Sequence, residues 1–303
     1  MPSPLIALAP ADAPSWLADA ISEGGGTLVA PAEAEGLVWY GPFEPDALRP
    51  VLAACPARWV QLPWAGVEPY LDILSPDREW TCGKGVYAEA TGEHALALTL
   101  ALLRDLPRRV RARKWEPRSG TSLFDAKVSI IGGGGIAEVL LRLLAPFRCE
   151  VTVVRRHPAA MPGASTVVGR DGLGAALASA DVVVLALPLT PETDGLLSKK
   201  ELSMMQGHAI VVNVARGRHI VTDDLVGVLH DGVIAGAALD VTDPEPLPDD
   251  HPLWSEPRCL ITPHTANTLE MVQAAVAERV RENVRRFGAG EPLIGTVDVE
   301  LGY

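Results

Sequence analysis

"VSIIGGGGIA" (residues 128–137) runs from a Val/Ile stretch straight into four consecutive glycines. Glycine loses more backbone freedom on folding than any other residue. Four together mark either a slack linker or a place where a backbone must approach something closely. The surroundings separate the two readings. Working outward, VSII (128–131), EVTVV (150–154), DVVVLAL (181–187), AIVVNV (209–214), GAALDV (236–241) and CLIT (259–262) read as strands. Between them lie the helix-patterned pieces IAEVLLRLLAPF, DGLGAALASA, SKKELSMM and TDDLVGVLHDG. Continuous apolar strands separated by helices are what a parallel sheet covered on both faces requires.

In that setting the loop is Gly132-Gly133-Gly134-Gly135-Ile136-Ala137, placed after strand 128–131 and before a helix expected over 136–145. It fits G-x-G-x-x-A, the dinucleotide-binding pattern. Gly132 allows the tight turn, Gly134 lets a pyrophosphate come close to backbone, and the small Ala137 lets the helix pack on its strand. Gly135 and Ile136 stand at the helix N-terminus, whose N–H groups and dipole favour phosphate. An NAD(H) site wants an acid near the end of the second strand, to accept hydrogen bonds from the ribose 2′-hydroxyl. VTVVRRHP (151–158) places Arg155 and Arg156 there instead. A guanidinium can bind a 2′-phosphate bidentately, so the expected cofactor is NADP(H) more than NAD(H).

At 303 residues two domains are expected. Residues 1–90 hold short apolar runs (LIALAP, TLVAP, GLVWYGP, WVQLPWAG) alternating with helix-like stretches such as Pro14–Ser22 and Pro45–Ala54, which suggests a small α/β unit. TGEHALALTLALLRDLPRRVRARKW (91–115) reads as an apolar helix breaking near Pro107, with a basic tail. After residue 267, LEMVQAAVAERVRENVRRFGAG reads as a helix and PLIGTV as a short final strand. The expected organisation is a doubly wound, Rossmann-type dinucleotide domain (91–267) inserted into a smaller α/β substrate domain (1–90 and 268–303).

A formal charge of −12 argues against a nucleic-acid surface. No apolar run reaches the roughly 18–20 residues of a membrane span, and the N-terminus does not read as a signal peptide. The four scattered cysteines form no CxxC pair and read as reduced thiols of a cytoplasmic protein. No metal constellation is expected, although Asp249, Asp250 and His251 are adjacent. The 91–115 helix, too apolar to face water along its length, points to a homodimer interface. Trp115 either reaches the neighbouring active site or simply packs.

In doubly wound sheets ligands gather at the carboxyl ends of strands. There stand Arg216 after AIVVNV, Asp240 and Glu245 around GAALDVTDPEP, and His264 after CLITP. Histidine suits proton transfer because its pKa lies near operating pH. A carboxylate tunes it, and an arginine binds a carboxylate and a polarised carbonyl. Singly, each could be structural; together they suit hydride transfer to a small 2-keto acid. Of the seven histidines, only His264 lies at a strand's carboxyl end with an apolar run behind it.

The stretches GGGGIA, LPLTPETDGLL, VNVARG, LDVTDPEPLPDDHPLW and TPHTA, in this order, resemble the D-isomer-specific 2-hydroxyacid dehydrogenase family over essentially the whole chain. The resemblance implies that Arg216 binds substrate carboxylate and carbonyl, Glu245 partners the acid/base, and His264 gives or takes the proton. It implies that Asp240 holds the nicotinamide amide, and that Leu187, Pro188 and the Val214-Ala215-Arg216 turn border the cofactor. LPWAGVEPY (62–70) resembles the family's carboxylate-binding loop, which points to the N–H groups of Ala65 and Gly66, with Trp64 either shaping the pocket or filling core. GVYAEATGEHALAL (85–98) resembles the segment entering the interdomain helix, where His94 reads as a helix-start residue rather than a catalyst. The missing acid and the end at Tyr303, without the regulatory domain of many phosphoglycerate-type relatives, favour glyoxylate/hydroxypyruvate-type reduction. Open alternatives are an NAD-linked dehydrogenase of another 2-hydroxy acid such as 3-phosphoglycerate, and a dinucleotide-sensing scaffold like the family's transcriptional corepressor.

Overall fold

A computed structural model describes residues 3–303. The chain divides into two units, one of residues up to Tyr87 with Leu269–Tyr303, the other Ala88–Thr268. In the first, β1 (Leu5–Ala9), α1 (Ser15–Glu23), β2 (Thr27–Leu28), β3 (Gly36–Trp39), α2 (Pro45–Ala54), β4 (Trp59–Gln61) and β5 (Glu79–Thr81) build a five-stranded parallel sheet of order β2-β1-β3-β4-β5. α2 begins on Pro45, whose fixed φ suits a first helical turn and whose missing N–H is not needed there. The C-terminal helix Leu269–Ala289 returns to pack on α1. The sequence PLIGTV makes no strand. It touches β5 through a single antiparallel bridge, Thr81 to Thr296, because Pro292 has no N–H to donate and Gly295 turns the chain at φ 77°.

The second unit runs α3 (Ala88–Leu103), α4 (Leu106–Arg109), β6 (Lys127–Ile131), α5 (Gly135–Leu144), β7 (Glu150–Val154), β8 (Thr166–Val168), α6 (Leu173–Ser179), β9 (Val182–Leu185), α7 (Lys199–Leu202), β10 (Ile210–Asn213), α8 (Thr222–His230), β11 (Gly236–Leu239) and β12 (Cys259–Ile261). Its seven-stranded parallel sheet has the order β12-β11-β10-β9-β6-β7-β8. The chain leaves β6 toward β7 and β8, then crosses back to β9 on the other side, so the direction of winding reverses at the carboxyl end of β6. Both faces are covered. Along β9, Val182 and Val184 join the cluster under α3 and α5, while Val183 and Leu185 join the one under α6 and α8.

Two expectations change here. The helix expected from residue 91 starts at Ala88, ends at Leu103, and is followed by a separate short helix. The break is set by Asp105 in the left-handed region (φ 55°), and Pro107 opens the second helix rather than ending the first. The apolar character of α3 is accounted for within its own unit: Ala95, Leu98 and Leu103 are buried in the cluster with α5 and the sheet. The edge strand β8 carries no long apolar run, and nothing in the sequence announces it. No helix of the described residues is long and apolar enough to cross a membrane.

Candidate active site

Gly132 holds φ 118°, and a Cβ on it would lie 2.0 Å from the Ala186 carbonyl oxygen, so only glycine fits where β6 passes the end of β9. A Cβ on Gly134 would meet nothing within 4 Å. Gly134 is also the N-cap of α5, with no side chain capping it, and Ala137 is fully buried on the helix's inner face. A jammed first glycine, an open second one and an uncapped helix start suit a pyrophosphate. The residues present fit a dinucleotide.

Past β7, the Arg155 N–H donates to the Val168 carbonyl (3.0 Å), tying this corner to β8, and the Arg155 side chain lies along Gly133. Arg156 Nη2 is 3.9 Å from Glu192 Oε2. Arg170, just after β8, donates to the Glu192 carbonyl oxygen at 3.0 Å. Three arginines therefore share the corner. Sequence reasoning missed Arg170 because it missed the strand that precedes it. The Thr190 hydroxyl donates to Glu192 (2.8 Å) and, with Glu192's own backbone and the nearby guanidinium charges, holds that carboxyl below the usual range.

At the ends of β9 and β10, Leu187, Pro188, Val214 and Ala215 form adjoining turns. Buried His219 spans the carbonyls of Thr193 (2.9 Å) and Leu187 (3.1 Å). Asn213, fully buried at the last position of β10, folds the next turn. Its Oδ1 accepts the Ala215 N–H (3.0 Å), and its Nδ2 donates to the Arg216 carbonyl (2.8 Å). A Cβ on Gly217 would fall 1.9 Å from the Thr242 carbonyl oxygen. Glycine at 217 thus lets the Arg216 turn press against the Thr242–Glu245 turn, which explains why VNVARG ends as it does.

His264 Nδ1 lies 2.6 Å from Glu245 Oε1, with the two side chains 50% and 42% exposed. The Glu245 hydrogen bond raises the His264 pKa; burial and Arg216 oppose it, while the charges of Glu245 and Asp240 reinforce it. Burial pushes Glu245 up, but the His264 hydrogen bond and charge, the Thr242 N–H and Arg216 outweigh it and hold it below the usual range. Arg216 is thus close enough to influence both partners.

His264 has φ 50°, a left-handed backbone unusual for a side-chain-bearing residue. Asp240 holds it there. Its carbonyl accepts the His264 N–H (2.7 Å), Oδ1 accepts the Thr265 N–H (2.9 Å), and Oδ2 accepts the Ala266 N–H (3.0 Å). The Asp240 side chain is 1% exposed.

In the first unit, the Pro63–Gly66 loop is held by its carbonyls. Pro63 accepts from the Tyr87 hydroxyl (2.7 Å), Trp64 from the Gly83 N–H (2.7 Å), and Ala65 from the Cys82 thiol (3.5 Å). No acceptor among the described residues meets the N–H groups of Ala65 and Gly66. Trp64 is not core: it is 37% exposed and edge-on to Phe43 at 5.8 Å, an aromatic partner the sequence did not single out. Among the described residues no His/Cys/Asp/Glu group could hold a metal ion.

Residues 96–266 match the D-isomer specific 2-hydroxyacid dehydrogenase, NAD binding domain. The chain is 40% identical over 254 residues to an uncharacterised protein of Corynebacterium melassecola, covering 81% of this chain and 84% of that one. It is 32% identical over 281 residues to glyoxylate/hydroxypyruvate reductase A of Escherichia fergusonii (88% and 86%). Among solved structures, a D-isomer specific 2-hydroxyacid dehydrogenase from Xanthobacter autotrophicus Py2, in complex with NADPH and MES, superposes with a TM-score of 0.87 at 29% identity, covering 99% of this chain and 100% of that one. The chain belongs to the D-isomer specific 2-hydroxyacid dehydrogenases, NAD(P)-dependent oxidoreductases in which a Rossmann-type domain is joined to a second parallel α/β domain.

Proposed function

We propose that the protein reduces a small 2-keto acid of the glyoxylate or hydroxypyruvate kind to its 2-hydroxy acid, with NADPH preferred and His264 as the proton donor. One observation carries the reading: the 2.6 Å His264–Glu245 pair, with Gly217 letting the Arg216 turn press against the Thr242–Glu245 turn. The cofactor would lie on Gly132, Gly134, Gly135, Ile136 and Ala137, bordered by Leu187, Pro188, Val214 and Ala215. Bound there, the nicotinamide supplies the hydride.

The chain's own residues do the rest. Glu245 favours the protonated form of His264 and orients its Nδ1–H, leaving Nε2–H to donate to the carbonyl oxygen as it gains charge. Arg216 offers a planar fork to the carboxylate and that same oxygen. The Ala65 and Gly66 N–H groups, with Trp64 beside them, suit a carboxylate as well. Asp240, satisfied within its own unit, serves by setting the posture of His264. Arg155 and Arg156 suit a 2′-phosphate, and NADPH in the Xanthobacter relative supports the preference. One observation favours an NADH-linked reading: Glu192 stands beside Arg156 and competes with a phosphate for it.

The thiols of Cys55, Cys82, Cys149 and Cys259 are free, which supports a reducing compartment such as the cytoplasm. For assembly we infer a homodimer built on the segment after α3, where Val110 is 74% exposed and Trp115 wholly so. The testing experiment is steady-state turnover on a panel of 2-keto acids, each with NADPH and NADH. Turnover of glyoxylate or hydroxypyruvate with NADPH supports the proposal. Tight cofactor binding without turnover of any 2-keto acid would favour a sensing scaffold.

A further inference from the structure

We propose that His94 is a positioning residue for proton transfer, fixing the His264 loop through Asp240 and Thr262; this rests on the reading of His264 as acid/base. His94 lies in the second turn of α3, its side chain 21% exposed. Its Nε2 is 3.0 Å from Thr262 Oγ1 and 3.2 Å from Asp240 Oδ1. Proton counting fixes the directions. The Thr262 hydroxyl has one hydrogen, and it goes to Asp240 Oδ1 at 2.6 Å. What Thr262 offers His94 is therefore a lone pair, and a carboxylate oxygen is an acceptor too. His94 Nε2 must carry its proton and share it between the two.

The carboxylate is thus held from two sides. His94 and Thr262 donate to it from α3 and the end of β12. Its other contacts, with the N–H groups of Thr265 and Ala266, all serve the loop that carries His264. That loop keeps His264 at φ 50°, a conformation that persists only where surrounding contacts over-determine it. Without the His94 proton, a buried anion has one donor fewer and can turn, and the loop turns with it. Glu245 sits on a different turn and does not follow, so the His264–Glu245 alignment is what degrades. The polar partners of His94 Nε2 are Thr262 and Asp240, so its effect on His264 passes through that carboxylate.

The test compares His94→Leu, which keeps bulk without a donor, with His94→Gln, whose amide nitrogen can reach the place of Nε2. Both are measured for kcat on glyoxylate, KM for NADPH and melting temperature. His94→Leu should lower kcat about tenfold, short of the roughly hundredfold that a misplacement of about 1 Å costs, while KM for NADPH stays within about twofold. His94→Gln should restore most of the rate. If His94→Leu does not fold, Thr262→Val cuts the same link and should show the same split. A normal kcat in His94→Leu with only a lower melting temperature overturns the proposal, as does a Gln variant no better than Leu. His264→Ala separates the two failures. If its kcat collapses while His94→Leu stays normal, the positioning role alone fails; if its own kcat is normal, the acid/base reading falls and this proposal with it.

Discussion

Replacing Glu245 by Gln removes a charge but keeps an oxygen that can accept the His264 Nδ1–H, so it isolates the electrostatic part of the pair. A hydrogen bond to a charged group contributes about 1.5–3 kcal/mol, but both side chains here are close to half exposed, and solvent screening cuts exposed pairs to about 1 kcal/mol or less. Taking about 1 kcal/mol, reductive kcat falls by up to about fivefold on the alkaline side of the profile, where protonated His264 is scarce. The sign follows from the direction of the shifts. His264 is raised, so its protonated form persists above the ordinary imidazole range, and reduction declines as pH rises through the raised value. Oxidation of the hydroxy acid needs the neutral form and rises over the same interval. The variant should move the reductive limb to lower pH. In stability terms, the His264 contribution is present below its unfolded pKa and lost as pH rises through the folded one. The Glu245 contribution is present above its unfolded pKa and lost as pH falls through its depressed folded value. The assay is NADPH oxidation with glyoxylate over a pH series that starts below the ordinary imidazole range and continues above it. A limb that stays put, or moves upward, refutes the coupling.

Arg155→Ala with Arg156→Ala should raise KM for NADPH about ten- to hundredfold for each guanidinium removed and leave NADH nearly untouched; equal losses would remove the 2′-phosphate reading. Arg216→Lys should raise KM for the keto acid and lower kcat about tenfold or more, because a point donor on a flexible stem cannot meet a developing oxyanion as a fork does. A structural arginine would instead show as a lower melting temperature with unchanged kinetics. Sedimentation at micromolar concentration should give a dimer that Trp115→Ser and Val110→Ser weaken, and a monomeric wild-type chain would end that proposal.

The central strands are legible because burial on both faces leaves them little but Val, Ile, Leu and Ala. Val182–Leu185 and Ile210–Asn213 could scarcely be anything else. The edge strand Thr166–Val168 has one neighbour and partial exposure, so its sequence carries no such mark, and Arg170 is hidden with it. Arg216, Glu245 and His264 are legible as residue types at strand ends. The contacts that position them are not. Asn213 reads as one more strand residue, yet its amide shapes the Arg216 turn. Thr262 and His94 are far apart in sequence, and only the packing of α3 against β11 and α5 brings them to one carboxylate. Gly217 looks like an ordinary loop glycine until the Thr242 carbonyl is placed against it.

The most direct test of the account is His264→Ala, measured for kcat on glyoxylate and, in the same preparation, for NADPH affinity by fluorescence titration. If His264 delivers the proton, kcat falls roughly 10²–10⁴-fold, the usual contribution of general acid–base catalysis, while NADPH binds about as tightly as before. A variant that turns over at a near-normal rate would contradict the account, because the proton would then reach the substrate by a route that does not include His264.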